Sequence, residues 1–459
     1  MNCQILGIDF GTTNSVISIL KNNNPDLILS NNNNYLIPSK ILILNNKYYC
    51  GDEIPINKEG LLIKNFKTKI GSNYYYSYND NKYHINDLLF IYIKYLKKII
   101  NLEDNNKTVI SVPANFSNNQ RDIIKNIFSE LKFNIIRVIN EPTSAAISYG
   151  LTDKCEEEDK ILVFDMGGGT LDITILEKDE LFFEIIESVG NKNIGGKNFT
   201  DVIFKDIKSK YDLSKYNNNE LDILWNKCNI SKNMLFYQEN QIIRYKDIEY
   251  ELSNDKLLSL SKNIINQIKK LINSIENKII NKIILVGGSS KLKIVNDIIT
   301  NTFKTNINSY ENLQTVVSLG NCLYSGILSE NIKKDNLVII DCLQLSIGIE
   351  TEDGNFSIII PKNTPLPSIK KKKYRLIEKE EDFILKIYQG ERKLARKNKL
   401  LYEIDLQKYY ENINNLNKII EVTFKIDLNS IININITDET NNINEELNNK
   451  LKKIDQNEI

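Results

Sequence analysis

Ile5-Leu6-Gly7-Ile8-Asp9-Phe10-Gly11-Thr12-Thr13-Asn14-Ser15 reads as an apolar strand closed by an aspartate, then a glycine and two threonines. The same order recurs in Ile161-Leu162-Val163-Phe164-Asp165-Met166-Gly167-Gly168-Gly169-Thr170-Leu171-Asp172. Glycine lets backbone N–H groups approach an anion that a Cβ would obstruct. An aspartate cannot bind phosphate itself, so its natural partner is a divalent cation bridging the phosphates. A single Asp-x-Gly is more often an ordinary turn. Two such segments in one chain point to a duplicated domain that clamps one nucleotide between its halves.

The 459 residues are enough for two or three domains with full cores. Lys and Arg (59) balance Asp and Glu (59), whereas a nucleic-acid binder would show a basic excess. The six cysteines (Cys3, Cys50, Cys155, Cys228, Cys322, Cys342) lack zinc or iron–sulfur spacing and read as small buried hydrophobes in a reducing compartment. His84 is the only histidine, which all but excludes histidine-based metal or acid–base chemistry. The chain enters a strand without a signal-like leader, and no apolar run reaches membrane-spanning length, so the expected location is cytoplasmic. Asparagine clusters at 22–24, 31–34 and 217–219 read as loops of biased composition.

Residues 1–335 alternate strand runs with amphipathic helices, as in an α/β domain. Residues 108–113 form a buried-strand run. Ser117 and Gln120 then give a capping-box signature for a helix with Ile123, Ile124, Ile127 and Phe128 on one face. A strand over 135–139 leads to Pro142 in the first turn of a helix over 143–149, with Gly150 as its stop. Segments 172–176 and 182–187 predict an antiparallel pair, and one longer helix is expected from Ser253 to Ile275. The strand 283–286 delivers the chain to Gly287, Gly288 and Ser289, a nucleotide-facing edge. Residues 336–342 read as a linker. Alternating segments at 345–350, 356–360, 383–388, 419–426 and 431–436 predict a small β-sandwich over 343–440, with 441–459 a fraying polar tail.

Together these motifs resemble the heat shock protein 70 family, the DnaK-type chaperones, over nearly the whole chain. Val112-Pro113-Ala114-Asn115-Phe116 with Gln120-Arg121, Asn140-Glu141-Pro142-Thr143, Leu345-Ser346-Ile347-Gly348-Ile349-Glu350-Thr351 and Gln389-Gly390-Glu391-Arg392 add to the two glycine loops. The resemblance implies an actin-like duplicated ATPase domain, then an all-β sandwich that binds peptide. The chain stops where a helical lid would begin, so fast peptide release is expected. It also implies an enzyme that uses ATP and Mg²⁺, a client polypeptide, a J-domain co-chaperone, and a monomer. Asp9 and Asp165 would orient the hydrated metal. Gly11, Thr12, Thr13, Asn14, Gly167, Gly168, Gly169 and Thr170 would cradle the phosphates. Lys67 would reach the terminal phosphate and its attacking water, and Glu141 and Asp172 would complete the polar site. Pro113, Arg121 and Glu141 would couple the nucleotide to the linker Leu337, Val338, Ile339, Ile340 and Asp341. Sugar kinases and actins share the ATPase fold but lack this linker and sandwich.

The chain departs from the family where adenosine would lie. Lys232, Gly195, Gly196, Gly287, Gly288 and Ser289 are kept. Asn229 replaces an acid, Asn233 a base, Gln314 an acid and Lys291 an arginine, which removes planar stacking. Lys197 follows Gly196 in place of an acid. Weaker ATP binding is the expectation. Phe383 falls at the central peptide pocket, where its bulk would favour small or proline-containing side chains. Glu352 and Leu376 fall at the arch above it. The short segment between Gly196 and Ile283 looks like the HscA branch, which serves iron–sulfur cluster assembly and whose client would be the scaffold protein. A general DnaK-like folding chaperone is the alternative. A small-molecule kinase and a non-catalytic peptide-binding protein are more distant ones.

Overall fold

The computed structural model describes residues 4–55, 59–101, 104–114, 116–152, 158–180, 182–275, 279–305, 307–308, 313–333, 337–375, 384–406, 419–437 and 442–445. Two lobes repeat one sheet plan. In the first, Ile5–Phe10 pairs in parallel with Lys107–Val112 and antiparallel with Asn14–Lys21. In the second, Glu158–Met166 pairs in parallel with Lys282–Val286 and antiparallel with Leu171–Asp179. Each central strand is therefore flanked alike and carries its aspartate, Asp9 or Asp165, one residue before its end. The apolar runs explain the central placement: Leu6 and Ile8 are fully buried, and Ile161, Leu162, Val163 and Phe164 are buried in succession, as a strand covered on both faces requires.

Two helices tie the lobes together, Glu141–Thr152 and Val316–Leu328. The side-chain amide of Asn321 donates to Ile8 O and to Ser111 Oγ, both at 2.9 Å, and its oxygen accepts from Ser144 Oγ at 2.7 Å. The helix 141–152 runs through Gly150 and does not stop there. A Cβ on Gly150 would lie 2.6 Å from the Phe183 ring, so glycine serves helix–sheet packing at that point. The single helix expected from Ser253 is broken at Ser261 into Asn254–Leu260 and Lys262–Asn273. The Gly287-Gly288 pair opens a short 3₁₀ turn, Gly288–Lys291, ahead of the helix Lys293–Phe303. The capping box forms, with Gln120 Oε1 accepting from Ser117 N at 3.0 Å.

Beyond the lobes, Val338–Ile340 joins the second-lobe sheet as an edge strand, parallel to Phe182–Asn191. Two four-stranded sheets follow. One has the order Phe356–Ile360, Ile347–Glu350, Ile384–Gln389, Lys399–Asp405, and the other Ser368–Arg375, Ile419–Ile426, Ile432–Thr437, Asn442–Glu445. They share a core that includes Ile347, Ile387, Ile404, Val422 and Phe424. The stretch read as a frayed tail thus begins with a paired strand, Asn442–Glu445. The sheets touch the first lobe: Val138 N donates to Asn429 Oδ1 at 3.0 Å, Lys399 Nζ to Ser117 Oγ at 2.5 Å, and the Asn118 amide to Ser430 O. No described helix is long and apolar enough to cross a membrane.

Candidate functional site

The hairpin between Ile5–Phe10 and Asn14–Lys21 leaves Gly11–Thr13 as a loop at the strand tips, and the second-lobe hairpin leaves Gly167–Thr170. The loops face each other. A Cβ on Gly168 would fall 2.1 Å from Thr13 Oγ1. A Cβ on Gly195 would fall 2.5 Å from Gly169 N, a backbone atom that cannot turn aside. Between the lobes lies a cavity of about 300 Å³. It is lined by Asp9, Gly11, Thr12, Thr13, Asn14, Lys67, Glu141, Asp165, Gly167, Gly168, Thr170, Gly196, Lys232, Gly287, Gly288 and Ser289. The two aspartates therefore share one cleft. Gly169, Gly195 and Asp172 lie behind its wall.

The carboxylates of the cleft, Asp9, Glu141 and Asp165, gather around Lys67. Lys67 is 2 % exposed and donates to Glu141 Oε1 at 2.9 Å and to the Phe10 carbonyl. Burial, then Glu141, pushes the Asp9 carboxyl up to about 7 against the pull of Lys67. Asp172 stands beside Asp165 in the strand register, and burial followed by Glu141 pushes it up to about 8. Asp165 is raised too, by burial and then by Glu141, Asp172 and Asp9. Asp9 Oδ1 and Asp172 Oδ1 are buried without a hydrogen-bond partner. Orphaned carboxylate oxygens are costly unless a cation meets them. Among the described residues no group of three or more His, Cys, Asp and Glu is set to cage a metal. A Mg²⁺ ion here would keep most of its water and take its other oxygens from phosphate, the usual arrangement for that ion.

On the opposite wall Lys232 Nζ donates to Gly196 O and Asn229 Oδ1, each at 2.9 Å, and burial lowers the amine to about 7. Asn229, Asn233 and Gln314 also line the cavity. Lys291 does not: its amine lies 5.7 Å over the Phe236 ring. Sequence reasoning missed Ser39, which donates from Oγ to Gly11 O at 2.7 Å and from N to Thr13 O at 2.8 Å, fixing the first loop. It also missed the Lys64–Asp222 ion pair, 2.8 Å long, which joins first-lobe strand Leu61–Lys64 to second-lobe helix Asn218–Met234 at the cleft. Neither carries a motif, because both depend on segments that meet only in the folded chain.

The switch residues form a chain of contacts. Phe116 N donates to Pro113 O at 3.0 Å. Arg121 Nη2 donates to Asn140 Oδ1, and Asn140 Nδ2 donates to both Asp341 carboxylate oxygens at 2.7 Å. Leu337 and Ile339 pack against the apolar clusters beneath the crossing helices. Glu352 sits in an exposed turn after Ile347–Glu350, while Leu376 and Phe383 lie outside the described residues.

The family model for Hsp70 protein matches residues 5–87 and 74–459. The chaperone protein DnaK of Metamycoplasma hominis is 30% identical over 470 residues, covering 95% of this chain and 78% of the relative. The DnaK of Mesomycoplasma hyopneumoniae (strain 7448) is 30% identical over 464 residues, covering 95% and 76%. That of Mycoplasmopsis synoviae (strain 53) is 28% identical over 466 residues with the same coverage. With two matched lobes, a shared glycine-lined cleft and likeness along almost its full length, the chain belongs to the Hsp70 family.

Proposed function

We propose that this chain hydrolyses ATP and uses the hydrolysis to grip and release extended polypeptide segments, as a general folding chaperone of DnaK type. One observation carries the reading: two glycine loops from duplicated lobes face each other across a cleft that holds buried carboxylates and two buried lysines, Lys67 and Lys232. Asp9 and Asp165 would hold a hydrated Mg²⁺, which supplies charge neutralisation on the phosphates. The N–H groups of the loops would point at phosphate oxygens, and Ser39 keeps the first loop in place. Lys67, held by Glu141 and the Phe10 carbonyl, would orient the attacking water and meet charge on the terminal phosphate. Asp172 would support that arrangement from behind. Such chemistry is positioning and electrostatics, without a covalent step.

Coupling would run from Glu141 through Arg121 and Asn140 to Asp341. The apolar linker would cost a few kcal/mol to leave in water at roughly 25 cal/mol per Å². Its seat as an edge strand supports a two-state element. A J-domain co-chaperone and unfolded clients are the partners. Buried free thiols at Cys50, Cys228, Cys322 and Cys342 suit a reducing cytoplasm. The test is phosphate release from ATP with and without Mg²⁺, compared with Lys67→Ala. The expected loss in the variant is about 10²-fold to 10³-fold, and equal turnover in both would defeat the enzymatic reading.

Iron–sulfur specialisation rests on the compact segment 196–283 and the stretch Val316-Val317-Ser318-Leu319-Gly320 that comes after it. In that case a scaffold-derived peptide should stimulate phosphate release well beyond random apolar peptides. Equal stimulation leaves the general chaperone.

A further inference from the structure

Tyr92, on the helix Ile85–Ile100, is fully buried in the core of the first lobe. Its ring packs against Phe10 and Phe66, with centroids 5.8 and 5.3 Å away. Phe10 immediately precedes the first glycine loop, and Phe66 immediately precedes Lys67. A phenylalanine would fill the same space among those rings. The hydroxyl therefore needs a reason of its own, because burying one costs stability unless it is bonded.

That hydroxyl opens a run of three. Tyr92 Oη lies 3.1 Å from Ser15 Oγ, Ser15 Oγ lies 3.1 Å from Ser39 Oγ, and Ser39 Oγ lies 2.7 Å from the Gly11 carbonyl. Ser15 and Ser39 are buried as well. Counting protons gives the run a direction. A carbonyl only accepts, so Ser39 spends its one proton on Gly11 O. Ser15 then gives its proton to Ser39, and Tyr92 gives its own to Ser15. The Tyr92 hydroxyl also lies 3.2 Å from Pro38 O, 3.4 Å from Ile37 O and 3.4 Å from Ser39 Oγ, all longer than its contact with Ser15. The run thus ends on the backbone of the loop that faces the cleft.

The Gly11 carbonyl and the Thr12 N–H belong to one planar trans peptide unit and point in opposite directions. Holding the carbonyl therefore fixes the aim of the N–H, and Thr12 lines the cleft. We propose that Tyr92 is a positioning residue for the phosphates: acting through Ser15 and Ser39, its hydroxyl sets the Gly11–Thr12 peptide plane. The inference rests on the ATP reading above and adds a residue to it. Without the phenol proton the two serines can reverse. Ser39 then gives its proton to Ser15 and releases the Gly11 carbonyl, although Ser39 N still holds Thr13 O at 2.8 Å. The Gly11–Thr12 plane is left free to tilt, and a donor that is not aimed in advance binds an anion less tightly.

The test is calorimetry on the full chain with Mg²⁺ and two ligands, the non-hydrolysable imido analogue of ATP and adenosine, which has no phosphate. Tyr92→Phe keeps the ring and should bind the analogue about fivefold more weakly, with adenosine unchanged. Tyr95→Phe is the control, since its hydroxyl, on the same helix, accepts from Asp52 N at 3.2 Å. It should leave both affinities as they are. Ser39→Ala should weaken the analogue at least as much as Tyr92→Phe. Y92F/S39A should go no further than S39A, because both changes cut one chain. An unchanged analogue affinity in Tyr92→Phe, an equal loss for adenosine, or a further loss on adding Y92F to S39A would overturn the positioning role and leave the ATP reading intact. A wild-type chain that binds neither ligand would overturn both.

Discussion

Asp122 lies in the helix Asn118–Glu130, where the first lobe meets the C-terminal sheets, and is 7 % exposed. Burial pushes its carboxyl up to about 6, with Lys125 and Arg121 pulling it down and Asp427 pushing it further up. A group raised in the docked state favours docking when protonated. Its contribution is complete below the ordinary value of 3.8 and is lost as pH rises through about 6. Take the undocked carboxyl as ordinary. Lowering the pH from about 7 to about 5 then protonates Asp122 in the docked state alone, which favours docking by about 1.4 kcal/mol, or roughly tenfold. Lys399, at the same contact, runs the other way. Burial and then Lys192 lower it to about 8, so docking loses its contribution as pH falls through that value, above the window in question. Energy transfer between a dye on the first lobe and one on the C-terminal sheets reads the equilibrium. Acidification across the window should raise transfer in the wild type, and Asp122→Asn should flatten the curve. An unchanged curve in the variant, or undocking on acidification, would refute the reasoning.

Gly195→Ala places a Cβ 2.5 Å from Gly169 N. The clash of about 1–3 kcal/mol should appear as at least a several-fold loss of ATP affinity by calorimetry, with the melting of the C-terminal sheets unchanged. Breaking the exposed Lys64–Asp222 pair with Asp222→Lys should speed nucleotide release only a few-fold, since such pairs are worth about 0.2–1 kcal/mol. The exchange K64D/D222K should restore the slow rate in stopped-flow release of a fluorescent nucleotide.

The glycine loops were legible because each combines a buried-strand pattern with an acid and a backbone-exposing turn inside a dozen residues. The capping box at Ser117 was legible for the same local reason. Gly150 was misread because a glycine that ends a helix and one that admits an aromatic ring look alike in sequence. Only the approach of Phe183 separates them. The lysine strand 368–375 went unread because four cations in a row erase the alternation that marks a strand, and its pairing with Ile419–Ile426 outweighs that loss. Lys291 keeps its place in the motif yet leaves the cavity, since Phe236, on another element, offers its ring to the amine. Residues whose roles come from distant partners, such as Ser39 and Asn321, left no trace in spacing at all.

Asn321 has a mechanical consequence. Its amide grips the first central strand, a neighbouring strand and a crossing helix at once, so the halves can swing about that pin more easily than they can part. In a swing, displacement grows with distance from the pivot. The rim bearing Lys64 and Asp222 would sweep widest while the aspartate tips near the axis barely shift. A nucleotide could then enter or leave through a gaping mouth without the carboxylates being rebuilt each time.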